Sequence, residues 1–145
     1  SFLDEQGMPL NHIKPHGSLY VMAAKDEDMA HAIADAVETF DVPIFGMANT
    51  SHEKVYKDER GLNFIAEFYA DLDYDENGKL VIAKGKNAKY DAKIATDRVM
   101  RALSEKKVTN TVGKDIDVGC DTICVHSDTP NAVEIIKGIK SAINK

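Results

Sequence analysis

Three short clusters in this 145-residue chain carry side chains able to do chemistry: Lys14 and His16, Glu67 and Asp71, and His126 and Asp128. Within each cluster the members are an even number of positions apart, so on an extended strand they point to the same side. Two histidines and three carboxylates at one mouth can do two kinds of work. They can bind a divalent metal that activates water, or they can act directly as general acid and base. A lysine beside them can stabilise a developing oxyanion or hold a substrate carboxylate. Each residue also has a plainer reading. His16 can hydrogen-bond the turn at Gly17, Asp128 can help cap a helix that begins near Pro130, and Glu67 and Asp71 can be salt-bridged or turn-forming. His31 and His52 read as surface residues, and Tyr20, Tyr69 and Tyr74, taken singly, as packing residues.

These clusters need strands to carry them, and the apolar pattern supplies short strands alternating with amphipathic helices. His12–Gly17 reads as a strand that Pro15 brings to its end. A helix is predicted over 26–40, with Met29, Ile33, Ala36, Val37 and Phe40 on its buried stripe. A short strand follows over 42–48. Next comes a helix capped by Ser51, carrying Val55 and Tyr56 and stopped by Gly61. The strongest strand runs over 63–71, with Phe64, Ala66, Phe68 and Ala70 on one face and Ile65, Glu67, Tyr69 and Asp71 on the other. Asn77-Gly78 marks a turn, and 79–83 a return strand. A helix over 91–104 buries Ala92, Ala95, Val99 and Leu103. The strand 121–126 then leads to a helix capped by Thr129, with Pro130 at its first position and Val133, Ile136, Ile139 and Ile143 inward.

Strand–helix alternation of this kind implies an α/β fold with parallel strands joined by right-handed crossovers. The catalytic face is then expected at the C-terminal strand ends. The pattern holds about four such units. A closed barrel has about eight units and about 250 residues, so the chain fits a half-barrel or a small open sheet.

Composition narrows the function classes. Twenty-four acidic against 18 basic residues leave a net charge of −6, without the basic stripe of a general nucleic-acid binder. No apolar run approaches the ~20 residues that span a bilayer, and the first residues lack the pattern of a signal peptide. Cys120 and Cys124 on one strand would lie roughly 13 Å apart, beyond the reach of a disulfide. Two reduced cysteines agree with a cytoplasmic protein.

Three segments resemble one known family. Lys14-Pro15-His16-Gly17-Ser18-Leu19-Tyr20 closely resembles the Lys-Pro-His-Gly-Ala-Leu-Tyr motif of the LamB/YcsF family. Glu67-Phe68-Tyr69-Ala70-Asp71 resembles its Glu-Val-Phe-Ala-Asp-Arg segment. Cys124-Val125-His126-Ser127-Asp128-Thr129-Pro130 is similar to its Cys-Val-His-Gly-Asp-x-Pro. All three occur in the family's order. The resemblance implies a barrel-like α/β fold (TIM-type, like glycoside hydrolases and deacetylases), of which residues 1–145 are the C-terminal half. The N-terminal half is then expected to be absent or on a separate chain. It also implies a hydrolase that opens a small cyclic amide, 5-oxoproline or another lactam, with ATP supplied through partner subunits like the B and C subunits of 5-oxoprolinase.

On the matching positions, His16, Glu67, Asp71, His126 and Asp128 become catalytic candidates, and His16 and His126 candidate ligands for a divalent metal. Lys14 and Tyr20 become substrate-binding candidates. Four positions depart from the family pattern: Leu72 and Lys84 stand where it has Arg, Ser127 where it has Gly, and Ser18 where it has Ala. Loss of the guanidinium at 72 weighs most, because its fork suits a substrate carboxylate. Two other readings follow: a non-catalytic binding or assembly subunit derived from such an enzyme, and, by fold analogy, a carbohydrate deacetylase.

Overall fold

The computed structural model describes residues 2–82 and 90–144. Lys84 and the Ala83 end of the expected return strand lie outside the described residues. The chain divides into two compact units, Ser1–Ala66 and Glu67–Lys145, and β2 (Phe64–Tyr69) contributes residues to both.

The first unit holds α1 (Phe2–Glu5), α2 (Ser18–Ala23), α3 (Glu27–Val37), β1 (Ile44–Gly46) and a π-helix (Glu53–Glu59). β1 runs parallel to the start of β2, with Ile44 opposite Phe64 and Gly46 opposite Ala66. The strand expected over His12–Gly17 shrinks to one parallel bridge between Ile13 and Ile44. Pro15 brings no N–H to a ladder, and Gly17 turns the chain away at φ 61°.

Asp26 caps α3 by accepting from the Met29 amide at 3.0 Å, as its acidic start implies. The buried side of α3 is Ala30, Ala34 and Val37, packed with Ile44, Val55 and Tyr56. Phe40, expected inward, lies past the helix end and is 51% exposed. The π-helix is entered through Thr50 rather than Ser51. The Thr50 carbonyl accepts from the Lys54 amide, and its hydroxyl accepts from the His52 amide at 3.2 Å. At its far end the Arg60 amide reaches back five residues to the Val55 carbonyl.

His52, the residue that leads into the π-helix, is fully buried, contrary to the surface position expected for it. A Cβ placed on Gly46 would lie 2.8 Å from both His52 Cβ and Phe64 Cε2. Gly46→Ala is therefore expected to destabilise the unit by about 1–3 kcal/mol through overpacking. Urea titration reads this as a lower midpoint with an unchanged slope.

In the second unit the end of β2 runs parallel to β7 (Thr122–Cys124), with Glu67 opposite Thr122 and Tyr69 opposite Cys124. From Ala66 to Tyr69 every β2 residue is buried on both faces, as for a strand covered on two sides. β3 (Asp73–Tyr74) and β4 (Leu80–Val81) form an antiparallel hairpin. The Asp75 carboxylate closes its turn by accepting from the Asn77 and Lys79 amides, each at 2.8 Å, and Gly78 takes φ 74°.

α4 (Ala92–Glu105) is capped by Asp91, which accepts from the Ile94 amide at 2.9 Å. A second antiparallel hairpin, β5 (Lys107–Thr109) with β6 (Asp115–Asp117), follows it and was not anticipated from the sequence. α5 (Ala132–Ile143) packs against α4. The approach is close, since a Cβ on Gly138 would meet Thr96 Oγ1 at 2.7 Å. That contact rotates α5 away from the expected stripe. Ala132, Ile135 and Ile139 are buried, whereas Val133, Ile136 and Ile143 are 63%, 49% and 48% exposed. Among the described residues no helix is long and apolar enough to cross a membrane.

Candidate active site

β2 and β7 end side by side in the second unit, and a cluster of ionisable side chains gathers at their C-terminal ends. Beyond β2, the buried Asp71 carboxylate receives three hydrogen bonds. The His126 backbone amide donates at 2.8 Å, Thr129 Oγ1 donates at 2.7 Å, and His126 Nδ1 lies 2.9 Å away. The strands fix this arrangement: the Ala70 amide donates to the Cys124 carbonyl at 3.0 Å, which brings the residues just past each strand end together.

Burial alone would raise the pKa of Asp71. The bonds from His126 and Thr129 outweigh it and hold the carboxyl below its usual range. An ionised carboxylate only accepts, so Nδ1 carries the proton of the neutral imidazole and Nε2 the lone pair. The His126 ring stacks on Tyr69 at a centroid distance of 5.7 Å. Tyr69 in turn donates from its hydroxyl to the buried Glu67 carboxylate at 2.9 Å. Asp71, His126, Thr129, Tyr69 and Glu67 thus form one connected cluster on two strand ends.

Asp128 is exposed in the turn after His126, and it does not cap α5, whose first flanking residue is Asn131. Thr129, expected as that cap, gives its hydroxyl to Asp71 instead. In the first unit, Lys14 Nζ sits 5.6 Å from the centroid of the Tyr20 ring. The structure therefore brings together the two residues expected to bind substrate. Tyr20 itself is buried and meets His52 edge-on at 4.6 Å. His16 is exposed in the loop before α2, and Gly17 next to it adopts φ 61°, ψ −133°, a conformation open essentially to glycine alone.

Among the described residues no three His, Cys, Asp or Glu side chains gather as metal ligands do. Nδ1 of His126 lies 2.9 Å from Asp71, the carboxylate–imidazole arrangement that also orients metal-ligating histidines. Sequence reasoning missed Thr129 as a partner of Asp71 and Tyr69 as the link between Glu67 and His126. Both signals were present: Thr129 closes the third motif, and Tyr69 shares the β2 face of Glu67 and Asp71.

The model of the LamB/YcsF family matches residues 1–145. The chain belongs to the LamB/YcsF family. Its relatives in the family include the A component of the 5-oxoprolinase of Campylobacter jejuni, 40% identical over 147 residues, covering 99% of this chain and 57% of that protein. The lactam utilization protein lamB of Emericella nidulans is also 40% identical, over 151 residues, with the same coverage of 99% and 57%. Among solved structures, the lactam utilization protein of Thermus thermophilus matches with a TM-score of 0.82 and 33% identity, over 99% of this chain and 57% of that one. The chain thus spans 57% of the length of these family members.

Proposed function

We propose that this chain contributes the hydrolytic centre of an enzyme that opens a small cyclic amide, 5-oxoproline or another lactam. The observation that supports it most is the Asp71–His126 pair, a buried carboxylate bonded to the Nδ1 side of an imidazole. In the proposed reaction His126 Nε2 takes a proton from water as the oxygen adds to the lactam carbonyl carbon. The tetrahedral intermediate then collapses, the ring C–N bond breaks, and His126 returns the proton to the departing nitrogen. The products are a free carboxyl and a free amine on one chain. Asp71 holds the tautomer and stabilises the imidazolium that forms between the two steps. Glu67 is the alternative general base.

His16 and Asp128 keep a proposed catalytic role, and Lys14 with Tyr20 a proposed role in holding the substrate. A barrel-like arrangement, ATP, B- and C-like partner subunits and a divalent metal held by His16 or His126 belong to the same proposal as requirements of the full-length protein.

The test is His126→Ala in the full-length protein, assayed for release of glutamate from 5-oxoproline with ATP and the partner subunits present. The backbone amide of residue 126 still reaches Asp71, so the fold is kept. A fall in kcat of about 10²- to 10⁴-fold with little change in KM is expected; wild-type turnover would end the proposal. The second reading, a non-catalytic assembly subunit, draws support from Leu72 in place of the family's arginine. Leu72→Arg discriminates the two, because an appearance of lactam hydrolysis in an inactive protein marks a degraded site.

A further inference from the structure

Arg98, which lies in α4 outside all three motifs, clamps the chain just past Asp71. Its Nη2 donates to the Leu72 carbonyl at 2.7 Å and its Nη1 to Asp73 Oδ1 at 3.1 Å. The side chain is only 14% exposed, and its guanidinium lies 5.4 Å from the Tyr90 ring centroid and 6.0 Å from that of Tyr74. Both tyrosines extend the clamp. The Tyr90 hydroxyl donates to the same Asp73 oxygen at 2.9 Å. The Tyr74 hydroxyl accepts from the Tyr69 amide at 3.0 Å, next to the ring that stacks on His126.

The network also reaches the other side of the Asp71–His126 pair. The Tyr90 amide donates to Asn131 Oδ1 at 3.2 Å, and Asn131 Nδ2 donates to the Tyr90 carbonyl at 2.6 Å. Asn131 follows Thr129 by two residues, and Thr129 is a donor to Asp71. Tyr90, with the partly buried Arg98 guanidinium against its ring, therefore ties the segment that follows the carboxylate to the segment that carries its Thr129 donor.

We propose that Arg98 is a positioning residue for the Asp71–His126 pair: it sets where the carboxylate meets the imidazole without itself touching substrate. The planar fork suits this task, because it serves a carbonyl and a carboxylate in two directions while stacking on aromatic rings. A lysine has one compact charge and can serve them less well. The inference rests on the proposed role of His126, but its geometric part can be read without turnover.

The experiment compares Arg98→Met, Arg98→Lys and Tyr90→Phe in the full-length protein. Methionine keeps an apolar stem over the rings. Tyr90→Phe removes only the hydroxyl on Asp73, which keeps the test open where a change at Arg98 prevents folding. The first readout is the ¹⁵N spectrum of the His126 ring, which reports the nitrogen that carries the proton. The second is the split between kcat and KM.

Arg98→Met is expected to mix the two His126 tautomers and to lower kcat about 10- to 100-fold at nearly constant KM, with partial recovery in Arg98→Lys. Tyr90→Phe is expected to move both readouts in the same direction by less. A variant set that melts earlier while the His126 spectrum stays unchanged overturns the proposal and leaves Arg98 a purely structural clamp. If the spectrum moves as expected but His126→Ala retains turnover, the positioning stands and the catalytic role of His126 falls.

Discussion

Asp71→Asn is expected to lower kcat by roughly 10³- to 10⁴-fold while leaving the fold in place. The reason is the direction of one hydrogen bond. Asp71 accepts from His126 Nδ1 at 2.9 Å, which leaves the lone pair of the neutral ring on Nε2. Asparagine offers one carbonyl oxygen, and both the His126 amide and Thr129 Oγ1 compete for it, each having pointed at Oδ2. Its NH₂ group then faces Nδ1. The ring answers by carrying its proton on Nε2, where it can no longer take one from water. Steady-state assay of the full-length protein gives the rate, and the ¹⁵N shifts of His126 give the tautomer. A kcat within tenfold of wild type, with the tautomer inverted, would remove proton transfer by His126 from the mechanism.

The second large effect is on stability, and it comes from His52. Burial pushes the pKa of its ring down to about 4, against a smaller opposing pull from the Tyr20 backbone. In the unfolded chain an imidazole titrates near 6.5. Between these values the unfolded state binds the extra proton, so stability rises with pH there. The contribution is full above about pH 6.5 and is lost as the pH falls toward 4, by about 3 kcal/mol in all. For a domain with ~5–15 kcal/mol in total, that is a substantial share.

Urea unfolding at pH 7, 5.5 and 4.5 should show the decline. His52→Phe should flatten it, at the expense of the bond that the Met47 amide donates to Nδ1 at 3.2 Å. A slope unchanged in His52→Phe assigns the decline to another group. Asp71 acts in a separate window. Its folded pKa is held low, so its contribution is complete above the ordinary carboxylate value near 4 and is lost only as the pH falls below it.

The sequence was most legible where local chemistry dictates the outcome. Asp26 and Asp91 each cap the helix that follows, because a short carboxylate can reach the amide three residues on. Asn77-Gly78 makes its hairpin because a glycine at φ 74° needs no tertiary help. His126 and Asp71 were also legible, since both lie at the ends of apolar runs whose period-two pattern sets their facing. Where the sequence misled, two local answers were equally good. α5 carries Ala132, Val133, Ile135, Ile136, Ile139 and Ile143, which supply apolar stripes on two sides of one helix. Only packing against α4, at the close approach of Gly138 to Thr96, decides which stripe is buried. The β5–β6 hairpin has the charged residues Lys107, Asp115 and Asp117 and little apolar alternation. It is held in part by the bonds from Arg101 on α4 to Thr109 and Asp115.

By itself, then, the amino-acid order determined the family motifs, the starts of the helices near Asp26 and Asp91 and the strand-end placement of His126 and Asp71. All of these follow from residue type and short spacing. Tertiary structure alone decided that Thr129 turns its hydroxyl to Asp71 rather than to α5, that Arg98 reaches the Leu72 carbonyl, and that His52 is buried between Tyr20 and Tyr56. In the first two pairs the partners are 58 and 26 residues apart in the chain. No local propensity spans such separations: they are fixed by the parallel pairing of β2 with β7 and by the packing of α4. His52, the residue before the π-helix, carries the same lesson, since its ring is held in the core between Tyr20 and Tyr56.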